Sequence, residues 1–97
     1  MRVISKKALR EFWGWYPDAE GTLRAWHAEV EAASWQNPAV LKAQYGNASI
    51  LKSGRVVFNI CGNKYRLVVQ INYACSVVYI RFVGTHEEYD SIDAEVV

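Results

Sequence analysis

No aspartate or glutamate occurs between Ala32 and His86, although the 97-residue chain holds 10 acidic residues and an even scatter would place about six of them there. The same span carries Lys42, Lys52, Arg55, Lys64, Arg66 and Arg81. A formal charge of only +1 therefore conceals a polarised molecule. Five bases balance five acids in the first third, and the last eleven residues hold Glu87, Glu88, Asp90, Asp93 and Glu95 with no base. A middle segment with positive charge alone is the electrostatic footprint of a polyanion partner. Other scarcities remove whole classes of function. Cys61 and Cys75 are isolated, outside any C-x-x-C pair, which excludes a disulfide framework and leaves two free thiols in a reducing compartment. The two histidines and two cysteines have no metal-ligand spacing, so no metal and no other cofactor is expected. No stretch approaches the ~18 apolar residues of a membrane span, and no apolar run follows the basic segment Met1 to Lys7, so the expected location is cytoplasmic and not membrane-bound. The turns at Gly54 and Gly62 are too sparse for a phosphate-binding loop.

What is present argues for a folded chain. A hydrophobic content of 52% with 13% aromatics can bury enough apolar area to offset the ordering entropy, and residues 1–97 are expected to form a single domain. Met1 to Ile4 reads as a short strand. Ser5 then offers a helix cap, Ala8, Leu9, Phe12 and Trp13 recur at helical spacing, and Pro17 stops that helix. Asp18 to Ala33 forms a second helix with Leu23, Trp26, His27, Val30 and Ala33 on one stripe, which makes a helix hairpin. Asn37-Pro38 opens a short helical stretch that Tyr45, Gly46 and Asn47 close.

From Ala48 the period changes to two, and turn residues at Ser53-Gly54, Gly62-Asn63 and Asn72 to Ser76 bound strands at Ser49 to Lys52, Arg55 to Ile60, Lys64 to Asn72 and Val77 to Val83. The expected fold is α+β: the helix hairpin packed on one face of an antiparallel β-meander, with a short acidic C-terminal helix. Strand parity sets Val56, Phe58 and Ile60 opposite Arg55, Val57 and Asn59. It likewise sets Tyr65, Leu67, Val69 and Ile71 opposite Lys64, Arg66, Val68 and Gln70, and Val78, Ile80 and Phe82 opposite Val77, Tyr79, Arg81 and Val83. With the apolar faces turned to the helices, Arg55, Lys64, Arg66 and Arg81 emerge together on the open face. Four bases without carboxylate partners repel one another unless an anion joins them.

Past Arg81 the chain leaves the sheet through Gly84-Thr85 into the acidic helix, where His86 and Tyr89 share a side at i and i+3. A histidine can exchange protons near neutral pH and a tyrosine can donate one or stack on a base; alternatively His86 caps the helix and Tyr89 packs on the sheet edge. His27 sits on an apolar stripe and reads as a core or interface residue, and Trp13, Trp26 and Trp35 as core.

Trp35-Gln36-Asn37-Pro38, Tyr45-Gly46-Asn47-Ala48, Arg55-Val56-Val57-Phe58-Asn59-Ile60, Gly62-Asn63-Lys64-Tyr65-Arg66-Leu67 and Arg81-Phe82-Val83-Gly84-Thr85-His86-Glu87-Glu88-Tyr89-Asp90 resemble the HigB toxins, of the RelE-like group of type II toxin–antitoxin systems. The resemblance covers nearly the whole chain. It implies a ribonuclease that cuts mRNA, often at the ribosome, and that is held inactive by a HigA-type helix-turn-helix antitoxin. It also implies catalysis by sheet bases and a C-terminal tyrosine or histidine: Arg66, Arg81, Tyr89 and His86. A paired-lysine element of some relatives has no clear counterpart, Lys52 and Lys64 being the nearest. The expected reaction is metal-free attack of a ribose 2′-OH on the adjacent phosphate, with Lys52, Arg55 and Lys64 binding the RNA backbone. The competing readings are a non-catalytic RNA- or ribosome-binding domain using the same basic face, and a module that docks an acidic protein.

Overall fold

Ser5 holds the extended N-cap conformation ahead of α1 (Lys6–Trp15), although its side chain makes no capping bond. The helix buries Leu9, Phe12 and Trp13, one stripe at i, i+3 and i+4. Pro17 ends it by opening a 3-10 turn (Pro17–Ala19), and α2 (Glu20–Ala32) follows, burying Leu23, Trp26, His27 and Val30. Asn37 caps α3 (Pro38–Gln44) by accepting from the Val40 N–H at 3.1 Å, with Pro38 at the first helical position. These bounds come from a computed structural model that describes all of residues 1–97.

The strands are β1 (Arg2–Ile4), β2 (Ser49–Ile50), β3 (Arg55–Ile60), β4 (Tyr65–Asn72) and β5 (Val77–Thr85), followed by α4 (His86–Asp90). They form one sheet in the order β1-β5-β4-β3-β2. β2 through β5 are the antiparallel meander, while β1 adds a parallel edge along Val77 to Tyr79. The α+β architecture is the expected one, with the first meander strand stopping at Ile50 and the fourth running on to Thr85. Val56, Phe58, Ile60, Tyr65, Leu67, Val69, Ile71 and Val78 join Leu9, Trp26, Trp35 and Leu41 in the main core between sheet and helices. Phe58 is its aromatic centre, with the rings of Trp26, Trp35 and Tyr45 at 5.4, 6.5 and 5.1 Å.

Strict alternation fails at one place. A bulge sets Val68 opposite Phe82 and Val69 opposite Ile80, so that Arg81 is an extra residue in β5. Beyond it the parity of β5 reverses: Val83 joins the main core and Phe82 turns to the other face, the opposite of the simple expectation. On that face Phe82 packs with Val57 and Val68 in a second, smaller core, closed by Leu51, Tyr89, Ile92, Ala94 and Val97. The C-terminal tail therefore covers the middle of the face expected to be open.

Gly84 makes this arrangement possible. A Cβ there would lie 2.5 Å from Phe82 Cζ and 3.1 Å from Glu88 Oε1. The first contact is with a ring wedged beneath the tail, and the second with the capping box in which Thr85 accepts from the Glu88 N–H while the Glu88 side chain accepts from the Thr85 N–H. Gly84→Ala should cost about 1–3 kcal/mol of stability by overpacking, read from the midpoint of denaturant unfolding. An unchanged midpoint would show that the ring moves freely.

Candidate active site

The second face of the sheet reads as three rows across β3, β4 and β5: Arg55, Gln70 and Tyr79; Val57, Val68 and Phe82; Asn59, Arg66 and Gly84. The apolar middle row lies under the tail, so the basic face has two ends. Gln70 and Arg66 lie four residues apart on one strand, roughly 13 Å at the usual rise.

At one end Arg55 and Arg81 converge on a single oxygen. Arg55 Nη1 and Arg81 Nη2 donate to Gln70 Oε1 at 2.7 and 2.8 Å, while Gln70 Nε2 donates to Ser53 O at 3.3 Å, which fixes which end of the amide faces the arginines. The Arg81 guanidinium also lies 5.5 Å from the Tyr79 ring centre. Neither arginine pairs with a carboxylate. Lys52 is exposed in the 3-10 turn Lys52–Gly54 that leads into β3.

At the other end Arg66 is held by its own hairpin, donating from Nη1 to Asn63 O at 3.0 Å and Tyr65 O at 3.3 Å, with its guanidinium 5.8 Å from the Tyr89 ring centre. Tyr89 thus supports the guanidinium and at the same time covers the apolar row. His86 is the first residue of α4, tied to the start of β4 by its N–H on Lys64 O at 3.2 Å. The helix is capped by Thr85, which leaves the exposed imidazole unengaged in capping. Its Nδ1 lies 3.1 Å from Asp90 Oδ2 one turn later, so the carboxylate orients the ring and leaves Nε2 free to exchange a proton. Arg66 and Tyr89 are therefore brought together, with His86 at the start of the same helix beside Lys64, whereas Arg81 lies with Arg55.

Lys64 leaves this face altogether. It sits in the turn before β4 and pairs with Asp18, which lies outside the acid-free span and also accepts from Tyr65 Oη at 2.6 Å. The Lys64 and Tyr65 contacts hold the Asp18 carboxyl below its ordinary value of 3.8, and Asp18 in turn raises both partners. The ion pair with Asp18 thus favours the charged form of the Lys64 ammonium and engages it away from the basic face. A depressed folded pKa adds stability above the ordinary value that vanishes as pH falls through the folded one. Asp18→Asn should accordingly flatten the loss of stability below about pH 4. Melting temperatures of both proteins between pH 5 and 2 test it, and parallel curves would contradict it.

Sequence reasoning missed Asp90 and Gln70. The His-x-x-x-Asp spacing carried a signal for the first, since i and i+4 share a helix face; the second needed strand register. His27 is buried, with Nδ1 3.2 Å from Glu31 Oε1, and Trp13, Trp26 and Trp35 are in the core, as expected.

A family model described as HigB_toxin, RelE-like toxic component of a toxin–antitoxin system, matches residues 19–92. The chain belongs to the HigB toxin family. Among its relatives, the mRNA interferase toxin HigB of Escherichia coli (strain K12) is 32% identical over 96 residues, 97% of this chain and 92% of that protein. The mRNA interferase HigB of Shigella flexneri has the same identity and coverage. The mRNA interferase HigB of Escherichia coli O6:H1 (strain CFT073) is 22% identical over 94 residues, 95% of this chain and 91% of the relative. The HigB match takes in strands β2 to β5, both arginine ends and all of α4. No helix of this HigB-family chain is long and apolar enough to cross a membrane.

Proposed function

We propose that the protein is the toxin of a two-protein toxin–antitoxin pair, an endoribonuclease that cuts mRNA in the cytoplasm and acts as one domain. What supports this is a carboxylate-free Arg66 with its guanidinium 5.8 Å from the Tyr89 ring centre, and, on the same short helix as Tyr89, an exposed His86 whose Nδ1 lies 3.1 Å from Asp90 Oδ2. A domain that merely binds RNA needs the arginines; the oriented imidazole adds a proton-transfer group.

The proposed reaction is attack of the ribose 2′-OH on the adjacent phosphorus, with cleavage of the bond from phosphorus to the 5′-oxygen. It leaves a cyclic phosphate and a 5′-hydroxyl. His86 takes or returns the proton through Nε2, and Tyr89 supports Arg66 and offers its hydroxyl to the leaving oxygen. Arg66 stabilises the charge that develops on the phosphate oxygens. Arg81 and Arg55 hold a neighbouring phosphate, and Lys52 adds to the field that draws in the strand. Lys64 drops out of the RNA-binding set because Asp18 neutralises it. The chemistry needs no metal or other cofactor. The substrate is mRNA under translation at the ribosome, and the inhibitor is a HigA-type antitoxin.

Purified protein is to be incubated with an mRNA in a translating extract and with the same mRNA free of ribosomes, each with and without EDTA. Cleavage that survives EDTA supports the reaction as written, and loss with EDTA rejects it. Binding without cleavage in both settings favours a non-catalytic RNA-binding domain. Expression without an antitoxin gene should arrest growth.

A further inference from the structure

Trp15 is 84% exposed at the last position of α1, whereas Trp13, Trp26 and Trp35 are 9%, 2% and 2% exposed. Its ring is stacked on no other aromatic ring, and its indole N–H has no hydrogen-bond partner. A residue of this size left outside the core of a small protein is a binding feature in search of its ligand.

Its surroundings indicate which kind. Trp15 forms one wall of a cleft of about 560 Å³ whose other walls include Tyr16, Tyr65, Lys64, His86 and Glu87. The cleft opens at the end of the sheet, between the 3-10 turn Pro17–Ala19 and the N-terminus of α4. His86, the proton-transfer group of the reaction proposed above, forms part of the cleft wall and shares the short helix α4 with Tyr89, whose ring lies 5.8 Å from the Arg66 guanidinium. Five of the nine lining residues, Asp18, Lys64, Thr85, His86 and Glu87, are polar or charged and three, Trp15, Tyr16 and Tyr65, are aromatic, a composition suited to a flat ring with polar edges.

We propose that this cleft is a nucleobase subsite, in which the base next to the reacting phosphate leaves the strand and stacks on Trp15. This rests on the ribonuclease reading above. An aromatic platform accepts any base through its π-face, and Lys64, already neutralised by Asp18, lies beside the stack without adding net charge. Glu87, exposed on the same wall and without an ion-pair partner, supplies an acceptor for an exocyclic amino group. The subsite thus favours adenine, cytosine or guanine over uracil.

The probe is a set of 2′-O-methyl oligoribonucleotides, whose blocked hydroxyl prevents cleavage and separates binding from chemistry. Because the other three tryptophans are buried, quenching of intrinsic fluorescence on binding reports Trp15. Trp15→Ala should abolish the quench and weaken binding about ten- to a hundredfold, with Trp15→Phe recovering much of the affinity but none of the signal. Oligo(A) should bind more tightly than oligo(U), and Glu87→Gln should narrow that gap. Equal affinity of wild type and Trp15→Ala, in a protein that still cleaves mRNA, would overturn the subsite and leave the ribonuclease standing. Retained RNA affinity with lost antitoxin binding would assign Trp15 to a protein interface and overturn it equally. If the wild type quenches with RNA but never cleaves, the subsite holds and the ribonuclease reading fails.

Discussion

Arg66→Ala is expected to lower the rate of mRNA cleavage by about 10²–10³-fold, the usual effect of removing one donor aimed at developing negative charge. Arg66 has the attributes such a donor needs. Its guanidinium is fixed from below by two hairpin carbonyls and from the side by the Tyr89 ring, so little reorganisation is required when charge builds on the phosphate. No carboxylate competes for it. Arg66→Lys should recover only a small part of the loss, since an ammonium lacks the planar fork that presents two parallel donors to a phosphate. Single-turnover cleavage of a saturating RNA isolates the chemical step from binding. A rate within threefold of wild type for Arg66→Ala would remove it from the reaction, and growth arrest by that variant would agree.

How much of this was legible in the sequence depends on the range over which each signal acts. Helix and strand positions followed from periodicity and turn residues, which are local: Pro17, Asn37-Pro38 and the Gly62-Asn63 turn all lie where chain punctuation put them. The positions of Arg55, Arg66 and Arg81 on one face also followed, because parity needs only a correct register. The bulge at Arg81 did not, since Ile80, Phe82 and Val83 are all apolar and either parity buries an apolar side chain. Its result, Phe82 turned toward the tail, depends on Gly84 leaving room for the ring, which is a three-dimensional fact. Lys64 went astray for a related reason. Its partner Asp18 lies 46 residues away, so a window free of acids gave no hint that one of its bases was neutralised from outside. The tail's charge pattern signals only a short acidic helix, whereas Ile92, Ala94 and Val97 beyond it cover the middle row.

That middle row gives the two ends of the face different expected roles, and a double replacement of Arg55 and Arg81 by alanine should separate them. Two guanidinium groups on one amide oxygen are a repulsive arrangement, relieved when an anion takes the place of the Gln70 oxygen. The pair is thus poised as one clamp for one phosphate. Each charge-assisted bond is worth about 1.5–3 kcal/mol, so losing both should weaken RNA binding by about a hundredfold or more at low salt. Because a single phosphate is involved, the slope of log affinity against log salt should become shallower by about 0.7, the single-strand value for one released counterion. The rate at saturating RNA should stay within a few-fold of wild type, since the clamp lies some four strand residues from Arg66 and His86. Affinity by anisotropy across a salt series and single-turnover rates give the two readouts. A fall in the saturated rate comparable to that of Arg66→Ala would place Arg81 at the reacting phosphate after all. A slope change near 1.4 would mean that the two arginines hold separate phosphates, and the shared Gln70 oxygen would then be a feature of the RNA-free protein alone.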